Sequence, residues 1–185
     1  MTQKDTIARS LHDLGLASWF GGSLMGAVGL NAAAGEVAES RQRSRVANEG
    51  WARWTPVNAA AIGAHVLGAS QLTWTNKGRI VAQRGVKTAT YAKSAMTLAA
   101  LAATAYSRIL GKRMQRAGDV PVEGGTDPAA VTPDQVAQAQ RQLRVLQWVI
   151  PALTGGALVL NSVMGEQQRP TSVGGGIFGR LVPGR

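Results

Sequence analysis

The sequence predicts an all-α integral membrane bundle of about four transmembrane helices, and three observations predict it. The charges are segregated, with no acidic residue between Glu49 and Asp119 and none between Asp134 and Glu166. Four stretches of membrane-spanning length, 14–34, 57–75, 94–111 and 147–164, carry no charge except Arg108 near the end of the third. Trp and Tyr mark their margins, where an aromatic ring meets both lipid and water. The mean hydropathy of −0.02 looks soluble only because polar connectors are averaged with these stretches. An Ala-rich soluble four-helix bundle would show charges along its outer faces every few residues, and these stretches do not.

The first stretch, LGLASWFGGSLMGAVGLNAAA, follows a polar segment of mixed charge. A cleaved signal peptide ending at Ala32-Ala33-Ala34 is the competing reading, and Asp5 and Asp13 in its leading segment weigh against it. Residues 35–55 read as a polar connector with the Arg-rich run RQRSR. Thr55 as N-cap and Pro56 at the first helical position then predict the start of the second span. The third span follows Lys77, Arg79, Arg84, Lys87 and Lys93. Residues 117–131, AGDVPVEGGTDPAAV, are the clearest loop. Thr132-Pro133-Asp134-Gln135 reads as a capped helix start leading into the fourth span through Val136, Ala139, Leu143, Leu146 and Ile150 at helical spacing, with Pro151 inside it. Residues 1–165 thus form one membrane domain, and 166–185 form a flexible tail.

Few side chains in these stretches carry chemistry. Gly15, Ser18, Gly22, Gly26, Gly29 and Ala33 lie on one face of the first helix, a small-residue stripe that lets a second helix approach closely. The partner is either another helix of this chain or a separate subunit. His65 lies near the middle of the second stretch, where an ionisable group is a candidate functional site. It is a haem ligand, a proton relay or a neutral imidazole bonded to a neighbouring helix. From a helix start at Pro56, His65 lies roughly 12 Å deep, whereas His12 lies at the mouth of the first span; the two are not expected at one depth. Asn31 and Asn161 share the pattern Leu-Asn-x-x-x-Gly-Glu, and a four-span layout puts them on opposite sides. No carboxylate lies inside a span, which counts against a proton-coupled carrier. With no cysteine and no His/Asp/Glu cluster, no metal site is expected. Gly174-Gly175-Gly176 follows no strand and so carries no dinucleotide fingerprint.

The formal charge of +10 permits a nucleic-acid partner. The bases flank apolar stretches, however, and an anionic bilayer is the expected partner instead. The 20 Lys and Arg divide evenly between the two sides of a four-span layout, so orientation is undetermined. The stretch LHDLGLASWFGGSLMGAVGLN, with the Arg-rich connectors and Ala/Gly-rich helices, resembles uncharacterised small polytopic membrane proteins of high-GC Gram-positive bacteria. The resemblance, concentrated in residues 10–35, implies a multi-pass location in a bacterial plasma membrane and no activity. The expected function is therefore non-catalytic: an accessory or packing subunit of a larger membrane assembly, or a homodimer, without a cofactor. A haem- or quinone-associated redox protein using His65 and a small membrane carrier are the alternatives.

Overall fold

A computed structural model of the chain describes residues 3–75 and 84–166. The described residues are all-helical, apart from one isolated bridge between Val122 and Pro128. Helix α1 spans Gln3–Met25, continues through a π-turn at Gly26–Leu30, and ends in the short α2, Asn31–Gly35. Three long helices follow: α3, Ser40–Thr75; α4, Arg84–Ala117; and α5, Asp134–Glu166. The expected tail, 167–185, and the connector with Lys77 and Arg79 lie outside the described residues.

Helices α1 and α3 run antiparallel in close contact because both carry glycine where their backbones meet. A Cβ at Gly15 would lie 2.4 Å from the Ala61 carbonyl oxygen, and one at Gly68 would lie 2.4 Å from that of Ala8. Further along, the Trp54 and Trp51 rings rest on Gly22 and Gly26. Helices α4 and α5 form the second pair, and α1 joins the pairs through Leu16 and Trp19, which pack with Ala100, Ile150 and Ala157. Helices α3 and α4 barely touch.

The second helix corrects the sequence reading. It starts at Ser40, so the Arg-rich connector is its first turns and Pro56 lies inside it. The Thr55 hydroxyl does not cap; it donates to the Trp51 carbonyl one turn back, 2.7 Å away. Thr132 likewise builds the loop instead of capping α5: its hydroxyl accepts from the Ala129 N–H and donates to the Pro121 carbonyl. The predicted loop is a plug. Val122 is fully buried, its N–H reaches the Ser40 carbonyl, and Arg43 donates to the Val37, Val122 and Glu123 carbonyls and to the Glu123 carboxylate. Gly118, with φ +73°, turns the chain out of α4, a conformation in which a side chain would be strained.

The early start of α3 staggers the first two charge-free stretches. Gly26 meets Trp51 and Gly50 meets Leu30. Residues 22–34 therefore run beside the half of α3 that carries Arg45, Glu49 and Arg53, and only the start of the first stretch, around Gly15, meets 57–75. Glu49 and Arg53 form an ion pair at 2.8 Å on the outer surface. By length and composition one helix among the described residues, α5 over Asp134–Val163, suffices to cross a membrane. No other helix among the described residues combines that length with that apolarity.

Candidate functional site

Two polar sites lie inside the bundle, separated by a layer containing Leu16, Trp19 and Ile150. The first is a closed hydrogen-bonded ring. His12 Nδ1–H donates to Asp13 Oδ1 at 2.7 Å, and Lys93 Nζ donates to His12 Nε2 at 3.0 Å and to Asn161 Oδ1 at 3.0 Å. Asn161 Nδ2 closes the ring on Asp13 Oδ1 at 3.4 Å. The acceptor at Nε2 and the donor at Nδ1 define a neutral imidazole. Burial pushes the His12 imidazole from 6.5 to about 4, aided by the Lys93 ammonium and opposed by Asp13. Burial also lowers Lys93, with Asp13 opposing and Arg9 adding to the shift. The ring can pass a proton from the part-buried Lys93 ammonium through His12 to the half-exposed carboxylate of Asp13.

His65 adjoins this ring. Its Nδ1–H donates to the His12 carbonyl at 3.1 Å, and Nε2 faces the Thr97 hydroxyl at 3.5 Å. The expectation that His12 and His65 lie at different depths is wrong, because their ring centroids are 4.4 Å apart. It took the helix start from Pro56, whereas α3 begins sixteen residues earlier at Ser40. Two rings in van der Waals contact leave no slot for a porphyrin between them, and each histidine ring already has a protein partner at both nitrogens. The pair does not fit a bis-histidine haem. Among the described residues no group of three or more His, Asp or Glu is arranged for a metal ion.

The second site is a cavity of about 430 Å³ where α3 and α4 separate. Trp19, Trp51, Trp54, Ile62, Leu101 and Ile150 form much of its wall. Asn31 stands at the end of the cavity closed by the plug. Its position follows from the π-turn, in which the Asn31 N–H reaches back to the Gly26 carbonyl. Its side chain donates to Gln147 Oε1 at 2.8 Å and accepts from Trp51 Nε1–H at 2.9 Å, while its carbonyl takes the Gly125 N–H at 3.4 Å. Asn31 and Asn161 therefore occupy opposite ends of the bundle. Trp19 links the two sites: its indole N–H donates to Thr104 in the cavity wall at 3.2 Å, and its ring centroid lies 6.4 Å from that of His65. Among the described residues four buried side-chain atoms lack a partner. Two of them, Asn58 Oδ1 and Ser107 Oγ, belong to residues lining the cavity.

The small-residue stripe is divided. Gly15, Gly22 and Gly26 are used within the chain against α3. Ser18, Gly29 and Ala33 are exposed; the last two follow or fall within the π-turn, which rotates later side chains away from the earlier face. Lys93, His12 and Asp13 were missed because each lies at a span margin and reads as an interfacial charge. The available signal was a pair of charge-free runs, one beginning after Asp13 and one after Lys93.

No protein-family model matches this chain, and neither the curated proteins nor the solved structures contain a match.

Proposed function

We propose that this chain is a multi-pass protein of a bacterial plasma membrane that binds a small molecule in the cavity between α3 and α4, as a binding or carrier protein and not as an enzyme. The observation that carries the reading is the cavity itself. Its volume falls within the roughly 300–1,000 Å³ common for small-ligand sites. Its wall is apolar and aromatic, and two buried polar atoms beside it have no protein partner.

Membrane embedding is supported by an inverted distribution of polarity. Leu14, Leu67, Leu98, Val145 and Val159 are each more than 60% exposed on outer helix faces, whereas His12, His65, Asn31 and Thr154 are buried. Trp74 and Tyr91 mark one end of this apolar exterior, and Trp148 and Tyr106 the other. On α4 the belt from Ser94 to Ser107 is roughly 21 Å tall at 1.5 Å per residue. That is short of the ~30 Å hydrocarbon core, so a bilayer around it would have to thin locally.

The test is purification in mild detergent followed by solvent extraction, mass spectrometry and an absorption spectrum. A stoichiometric small molecule is expected with the wild type and absent from Gly111→Phe, because Gly111 lines the cavity and a Cβ there meets open space. A molecule retained unchanged by Gly111→Phe, or none in either sample, contradicts the reading. The accessory-subunit reading rests on the exposed small residues Ser18 of α1, Gly29 of the π-turn and Ala33 of α2. Stoichiometric recovery of a second membrane protein, lost in Ser18→Leu, would favour it.

A further inference from the structure

We infer that the cavity's occupant is an anionic single-chain amphiphile, with a carboxylate or phosphate head held by Arg108 and a tail directed toward Leu101, Ile62 and Trp19. The inference rests on the ligand-binding reading above and adds the ligand's charge and its direction in the site.

Arg108 is the only residue with a formal charge among those lining the cavity. Among the described residues it has no hydrogen bond or ion pair. It is also partly buried, whereas Lys112, Arg113 and Arg116, further along the same helix, are exposed to solvent. A cation in an apolar wall without a counter-charge is costly, and no acidic side chain lines this wall to offset it. An anion from outside the chain supplies what the protein does not.

The two unpartnered atoms belong to other residues that line the cavity. Ser107 precedes Arg108 on α4, and its buried hydroxyl has no protein partner. Asn58 belongs to α3, across the gap. The guanidinium forks toward two oxygens at once, as carboxylate and phosphate heads require. The apolar part of the wall lies toward Leu101, two turns before Arg108 on α4 and roughly 10 Å along the axis. Ile62, Trp19 and Ile150 complete that end. Arg108 stands midway along the α4 wall, with Asn31, Thr126 and Gln147 on its plug side and hydrocarbon on the other, and a wall polar toward one end and apolar toward the other is the pattern of an amphiphile.

The test titrates the protein in nanodiscs of zwitterionic lipid with decanoate, decyl phosphate, decanol and decyltrimethylammonium, following tryptophan emission. Decanoate and decyl phosphate should bind about ten- to a hundredfold tighter than decanol, the range for a hydrogen bond to a charged group. Arg108→Gln should remove that advantage and leave decanol unchanged; Arg113→Gln, outside the cavity, should alter neither. Decanoate and decyl phosphate compared with each other distinguish the two heads. Should Arg108→Gln fail to fold, the comparison of anion, alcohol and cation on the wild type still decides. Equal binding of anion and alcohol, abolished by Gly111→Phe, would overturn this inference and spare the cavity reading, as would preference for the cation. No saturable binding of any of the four would overturn both.

Discussion

Acidification should destabilise this protein through His12 in particular. In the folded chain His12 Nε2 accepts from Lys93, so a proton there breaks that bond and sets a second cation beside the ammonium. The imidazole is held at about 4 instead of 6.5. Between those values the unfolded chain binds the proton and the folded chain does not, so stability falls as pH falls. The contribution is complete above about pH 6.5 and gone near pH 4. At about 1.4 kcal/mol per pH unit it amounts to about 3 kcal/mol, or about 6–12 °C in Tm for a chain of this size. Thermal unfolding followed by tryptophan emission at pH 7.5 and pH 4 tests it when His12→Asn is measured alongside. Asparagine keeps an acceptor for Lys93 but does not titrate, and carboxylates common to both proteins cancel in the difference. The wild type should lose about 6–12 °C more than the variant. Parallel losses would refute the neutral, Lys93-bonded imidazole.

Other substitutions probe the packing. Gly68→Ala should cost about 1–3 kcal/mol, because its Cβ meets the Ala8 carbonyl; Gly63→Ala, with open space, should be neutral or stabilising by up to about 1 kcal/mol. Chemical denaturation of the pair checks both. Asn31→Ala strands the Trp51 indole N–H and Gln147 and should cost about 1–3 kcal/mol in the same assay. Arg43→Gln removes the donors that tie down the plug, so limited proteolysis within 118–132 should accelerate while the helices remain intact.

The helical class was legible because charge segregation is a property of whole stretches and survives errors at their edges. The Gly15, Gly22 and Gly26 contact was legible for a similar reason, since small residues at helical spacing serve only close approach. The helix boundaries were not. Pro56 after Thr55 has the form of a helix start, yet a helix can pass through proline when tertiary packing outweighs the lost hydrogen bond. That single displacement hid the stagger of α1 against α3 and the meeting of His12 with His65. The ring of Asp13, His12, Lys93 and Asn161 joins residues up to 148 positions apart, and pairings so remote leave no local trace. The cavity was invisible because it arises where two helices fail to touch.

Because the chain contains no cysteine, single cysteines can report lipid exposure without background. Leu14→Cys, Leu67→Cys, Leu98→Cys and Val159→Cys place a thiol on the outward apolar faces, and Val131→Cys places one on the plug. Labelling by a charged maleimide should be measured in membranes broken open to expose both sides, then repeated in denaturant. A membrane bundle predicts that the four outward thiols react only in denaturant, whereas the cysteine at 131 reacts in both. Full reaction of all four without denaturant would contradict the membrane assignment on which the account rests.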